Sequence, residues 1–181
     1  MKNLLFAVGL ALASVCSCCA NADAGGWRPL PLWGGGYMQD VVISPSEPNV
    51  WYCHADVCGP FRSDDAGRSW RPLHQNFPAA WRNAKVDHVR GILVDPRHAN
   101  RVLVAGGDNW NFTGGGIVVS DDGGETWRMT LKGARFYGNG PQRMYGRVLS
   151  RDPFNPDRIV AGCVRCARTG FRSNEMEVVG K

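Results

Sequence analysis

Apolar residues come along this chain in short runs, each stopped by Pro, Asp, Asn or Gly. VVIS from Val41, VWYC from Val50 and GPFRS from Gly59 form a first trio. GILVD from Gly91, VLVAGG from Val102 and GIVVS from Gly116 form a second, and RVLSRD from Arg147, IVAG from Ile159 and GFRS from Gly170 a third. Runs this short, rich in Val and Ile and bounded by turn formers, predict strands rather than helices. The first run of each trio ends at Ser44-Pro45, Asp95-Pro96 or Asp152-Pro153. Pro has no N–H to give to a ladder, so these dipeptides mark turns. The repeat predicts three blade-like units, at residues 39–73, 88–131 and 145–181. Units of roughly 50 residues that hold three or four strands each suggest propeller blades, which cannot bury their faces alone. The predicted fold class is all-β: an incomplete β-propeller of about two and a half blades.

One phrase is written twice. Residues 63–70 read SDDAGRSW and residues 120–127 read SDDGGETW, each joining the third strand of a unit to its fourth. Gly67 and Gly124 suit the unusual torsions of a tight turn. Asp65 and Asp122 are placed to fold back onto backbone N–H groups of their own loops. Ser63 and Ser120 open the phrase, and Trp70 and Trp127 close it with a ring for packing. The phrase resembles the Asp-box of sialidase-like propellers, and is expected to clasp a turn rather than to do chemistry. The third unit reaches Phe171-Arg172-Ser173 and then reads Asn174-Glu175-Met176, with no Asp-Gly-Trp phrase. A unit broken there is expected to be the N-terminal piece of a longer protein.

The remaining composition narrows the class. Of 181 residues, 44% are hydrophobic and only 20% charged, with 23 Gly and 7 Trp, which suits a turn-rich β protein. The net charge of +5 is spread over single Lys and Arg residues, none adjacent, so no nucleic-acid stripe is expected. Lys2 followed by an apolar stretch at 4–15 has signal-peptide form, and Ala20-Asn21-Ala22 and Ala22-Asp23-Ala24 fit a small-x-small cleavage rule. Residues 1–24 are therefore expected to be removed, leaving residues 25–181 as a secreted or periplasmic partial propeller with no membrane span. Cys16, Cys18 and Cys19 lack the lead expected of a lipid attachment site. Cys53, Cys58, Cys163 and Cys166 remain. In an oxidising compartment an even number favours disulfides, with connectivity left open. A zinc site built from them and His54 would need ligands from separate units, so neither metal nor cofactor is expected.

The order of motifs resembles the xyloglucanase and oligoxyloglucan cellobiohydrolase family. Trp27 and Trp33-Gly34-Gly35-Gly36-Tyr37 precede VVISPSEPNVWY and ADVCGPFRSDD. Trp81-Arg82-Asn83 through Val86-Asp87, Val94-Asp95-Pro96, the loop with Trp110, and Arg143-Met144-Tyr145-Gly146-Arg147 follow in family order. The chain departs from the family where His54-Ala55 stands for Arg-Thr, Cys58 for Gly and Gly146 for Glu. The resemblance implies two propellers that clasp a glucan in the cleft between them. It also implies inverting hydrolysis by two carboxyl groups about 6.5–9.5 Å apart. By the same resemblance Asp56 matches the general base, and the partner acid lies in a second propeller.

Each candidate has a plainer reading beside it. Asp56 could be a turn carboxylate bonded to nearby backbone, and His54 a satisfied strand histidine. Asp108 occupies the comparable slot of the second unit, and Trp110 and Tyr37 offer flat rings to a sugar face, or to a neighbouring blade. Two other classes compete with a β-glucan hydrolase whose partner is a polysaccharide: a non-catalytic sortilin-type propeller that binds protein or glycan, and a sialidase. The Phe61-Arg62-Ser63 run is not the arginine motif that sialidases need. Oligomeric state is not legible in the sequence.

Overall fold

The computed structural model describes residue 26 and residues 29–32, 36–107, 115–140, 146–163 and 176–180. The chain divides into two compact units, Met1–Leu30 and Pro31–Lys181, and all elements described below belong to the second. Strands β1 (Met38–Ile43), β2 (Trp51–Ala55), β3 (Gly59–Ser63) and β4 (Arg71–Pro72) form a first sheet in that order. A short α1 (Ala79–Asn83) follows. Strands β5 (Val89–Val94), β6 (Val102–Gly106), β7 (Gly115–Ser120) and β8 (Arg128–Ala134) form the second sheet. Strands β9 (Leu149–Arg151), β10 (Arg158–Gly162) and β11 (Met176–Gly180) form the third. Every paired neighbour is antiparallel.

The expected third strand of the last unit, at residues 170–173, lies outside the described residues. The strand that pairs with β10 is β11, with Ile159 opposite Val179 and Val160 opposite Val178. The Val178-Val179 pair supplies the β-branched residues that a strand favours.

Side-chain alternation explains why β6 and β7 read as unbroken apolar runs. Val102, Val104 and Val118 face a core shared with Tyr52, Leu73 and Phe77 of the first sheet and its connector. The intervening Leu103, Ala105, Ile117 and Val119 face a second core, shared with Leu149 and Ile159 of the third sheet. A sheet buried on both faces has no polar face to alternate with. Polar bonds join the first two sheets as well. The Tyr52 hydroxyl donates to the Ala99 carbonyl at 2.8 Å and accepts from Arg62 Nη1 at 2.8 Å. Arg62 also reaches the Asn100 side chain at 2.7 Å.

In a meander, successive turns fall at opposite ends. The Pro turns and the repeated phrase therefore share one end of the sheets, while the β2–β3 turn lies at the other, as do the C-terminal end of β6 and the start of β7. In the first copy of the phrase, Ser63 Oγ accepts the Gly67 N–H at 2.8 Å and donates to Asp65 Oδ1 at 2.8 Å. Asp65 in turn accepts the Ser69 N–H at 2.8 Å and the Ser69 hydroxyl at 2.7 Å. The second copy repeats this: Thr126 gives its N–H to Asp122 at 2.9 Å and its hydroxyl at 2.5 Å. Gly67 and Gly124 have φ of 80° and 97°, where an L side chain is strained. Each Trp ring N–H is bonded to that glycine's carbonyl, at 3.2 Å for Trp70 and 3.0 Å for Trp127. Trp127 packs edge-on against Phe77 at 5.1 Å, so the second clasp also seals the first core.

These bonds hold the Asp65 carboxyl down at about 2, the Ser69 hydroxyl first among the causes. Burial pushes Asp122 up, but the hydroxyl and amide of Thr126 outweigh it, and its carboxyl also sits at about 2. An unfolded Asp titrates near 3.9, so the folded chain binds these protons more weakly than the unfolded one. Their stabilisation is present above about pH 4 and is lost as pH falls toward about 2. Thermal melts between pH 5 and pH 2, read at roughly half-unit steps, should show this decline. Asp122→Asn should flatten it and lower the melting temperature at neutral pH by about 2–4 °C, for a hydrogen-bond loss near 1 kcal/mol.

Candidate functional site

Strand β2 leaves the first sheet through His54 and Ala55, and Asp56-Val57-Cys58 turns the chain into β3. Asp56 is only 5% exposed. Its carboxylate Oδ1 accepts the Tyr37 N–H at 2.7 Å, and its own N–H donates to the Tyr37 carbonyl at 3.1 Å. The segment before β1 is thereby latched to the turn after β2. Gly36 makes the latch possible: its φ is 110°, and a Cβ there would stand 2.3 Å from Asp56 Oδ1. Only a residue with no side chain lets the backbone pass that close. Gly59 is required for the same reason at the start of β3, where a Cβ would strike His74 at 2.5 Å.

Tyr37 is 48% exposed and lines a groove of about 560 Å³. The groove runs along the innermost strands of the three sheets, β1, β5 and β9, and includes Gln39, Asp40, His54, Arg90 and Arg147 among its walls. His54 is 2% exposed and hydrogen-bonds the Val89 backbone. Burial first, then the neighbouring Arg90 charge, pushes its imidazole down to about 4 against the opposing pull of Asp40. It is neutral at physiological pH, and its Nδ1 has no hydrogen-bond partner among the described residues.

The structure thus brings Asp56, Tyr37 and His54 to one end of the first sheet. Asp108 and Trp110 lie outside the described residues. Cys53 and Cys58 are free thiols, and burial pushes the Cys53 thiol up to about 12. Cys163 is disulfide-bonded, while Cys166 lies outside the described residues. Three residues of this region were not singled out from sequence: Gly36 as the hinge of the latch, and Gln39 and Arg90 in the groove wall. For Arg90 a signal was present, a lone Arg in the apolar run VRGILV.

The structure of the GH74 xyloglucanase from Xanthomonas campestris superposes with a TM-score of 0.61 and 27% identity, over 76% of this chain and 20% of that one. The GH74 enzyme of Niastella koreensis shares the fold, with a TM-score of 0.59 at 24% identity over 76% of this chain and 20% of its own. In sequence, the chain is 34% identical over 148 residues to a xyloglucanase of Acetivibrio thermocellus and 32% identical over 145 residues to one of a Paenibacillus species. Those alignments take in 80% and 78% of this chain, which spans only 17% and 14% of the length of these curated relatives. No protein-family model matches.

Two outcomes follow from this geometry. Gly36→Ala should push the carboxylate off the Tyr37 amide, and amide exchange of Tyr37, followed by NMR, should accelerate at least tenfold while exchange in β6 stays unchanged. The second concerns His54. Its folded pKa of about 4 lies below the unfolded value near 6.5, so stability should fall as pH drops through that window. Denaturant titrations of wild type and His54→Gln should show a steeper loss in the wild type.

Proposed function

The chain belongs with the xyloglucanases as a fragment-length relative with the fold of an incomplete β-propeller, and we propose that it is part of an exported, inverting glycoside hydrolase of xyloglucan-type β-glucans with Asp56 as its general base. The observation that carries the role of Asp56 is its latch. The carboxylate is 5% exposed and oriented by the Tyr37 amide at 2.7 Å, and the motif resemblance matches it to the family's general base. It lies at the end of the sheets opposite the two Asp-box turns, so catalysis and clasping occupy separate ends. Tyr37 gives a sugar ring a flat apolar surface beside it. Export agrees with the signal-like residues 4–15, and among the described residues no helix is long and apolar enough to cross a membrane.

In this reading Asp56 takes a proton from water as the water oxygen attacks the anomeric carbon. The bond to the leaving oxygen breaks, and a second carboxylic acid protonates that oxygen. The acid belongs to a region of the parent protein beyond this chain. The latch fixes the base in advance, which lowers the ordering needed in the transition state.

The 181-residue chain alone should show no release of reducing ends from xyloglucan, because half of the carboxyl pair is missing. In a full-length parent, Asp56→Asn should lower kcat by about 10²–10⁴ with KM little changed, since Asn keeps the shape but accepts no proton. Normal kcat in that variant would remove Asp56 from the mechanism.

A further inference from the structure

Two arginines rank among the buried residues of the described chain, and they are treated differently. Arg62, 8% exposed, is bound by Asp64, Tyr52 and Asn100. Arg90, 6% exposed, has no ion pair and no side-chain hydrogen bond among the described residues. Burial alone pulls its guanidinium below the ordinary value, with no neighbouring carboxylate to oppose the shift. Most of the side chain is enclosed, and the guanidinium nitrogens, none of them both sealed and unbonded, keep their contact with water. Arg90 lines the open groove, on the strand next to β1 and β9.

Its surroundings narrow the anion. His54, neutral and buried beside it, keeps Nδ1 as an acceptor with no donor. Gln39 gives its Nε2 to the Val89 and Gly138 carbonyls at 3.4 and 3.3 Å, which leaves Oε1 as a second buried acceptor with no donor. The wall therefore combines Arg90, a cation bonded to no carboxylate, with two acceptors without donors; Arg147 adds a second cation to the lining and Asp40 a carboxylate. Sulfate would satisfy Arg90 and bring no hydroxyl hydrogens to the two acceptors, while phosphate, which keeps a P–OH at neutral pH, has no ring face to set against Tyr37. A sugar acid brings both, a carboxylate for the guanidinium fork and hydroxyls for the acceptors. At about 560 Å³ the groove has the size of a small-molecule site, and the exposed Tyr37 among its lining residues offers a stacking face.

We propose that this groove binds a carboxylated sugar of the uronic-acid class, with Arg90 holding the carboxylate and Tyr37, Gln39 and His54 serving the ring and its hydroxyls. The site stands on Arg90 and is independent of any role of Asp56 in hydrolysis. It would let a propeller aimed at a neutral glucan also grip acidic sugars.

The test uses the 181-residue chain, with calorimetric titration of glucuronate, glucose, acetate and sulfate at matched ionic strength. Glucuronate should bind at least tenfold more tightly than each of the others, and Arg90→Gln should weaken it by a further tenfold or more, as loss of a charge-assisted bidentate contact implies. If that variant does not fold, the His54 ring resonances of the wild type decide: glucuronate should move them, and glucose at the same concentration should not. Glucose matching glucuronate would overturn the carboxylate contact. Acetate or sulfate matching it would reduce the groove to a simple anion site, and the absence of all binding would overturn the proposal.

Discussion

Strands β5 to β7 of the second sheet are buried on both faces, and the other two sheets are arranged against them. Val104 looks toward Tyr52 and Leu73, while the next residue, Ala105, looks toward Leu149 and Ile159. A strand can serve two cores only if every side chain on it is apolar and its backbone is fully paired on both edges. Strand β6 is apolar throughout, and β7 is apolar up to Ser120, which opens the clasp; each is paired along both edges, β7 with two register shifts against β8. The first and third sheets each depend on this central sheet for one buried face. The outer face of β1, where Val41 and Ile43 are 45% and 50% exposed, has no comparable cover.

Polar contacts then set how the first sheet sits on the second. Tyr52 and Arg62 reach across to Ala99 and Asn100, and Arg71 reaches Glu125 at 2.9 Å. The side chain of Asn76 donates to the Gly124 carbonyl at 2.8 Å, so the glycine that shapes the second clasp is also held by the first sheet's connector. The repeated phrase thus does two jobs. Its Ser, Asp and hydroxyl residues close a turn locally in both copies, and in the second copy Trp127 and Gly124 are also contact points for the preceding unit. Surface ion pairs such as Arg71 with Glu125 add little by themselves, and the buried hydroxyl and guanidinium contacts carry more of the register.

The meander also separates functions in space. Turns that need strong local closure collect at one end. The opposite end holds the β2–β3 turn, where Asp56 is latched by a segment 19 residues earlier in sequence. That arrangement ties the carboxylate to a distant segment and commits a glycine, Gly36, to the close approach. Strand β1 begins directly after the latch and runs into the groove wall. The orientation of Asp56 and the shape of the groove are therefore coupled through one short stretch of backbone.

The sequence by itself determined most of the strands and the clasp, though not β11. Val/Ile runs between Pro turns are local signals, and the duplicated phrase uses side chains that bond within eight residues, as the Ser63, Asp65 and Ser69 contacts show. The order of motifs marked Asp56, and the single Arg in VRGILV was visible although its meaning was not. Tertiary structure decided the rest, because the rest depends on contacts across long separations. Whether Asp56 bonded its own turn or a distant segment depended on where Gly36 and Tyr37 returned in space. Whether Arg90 found a partner depended on β1, β5 and β9 lying side by side along one groove. Neither is encoded in any window of neighbouring residues, since each arises only when separate sheets pack.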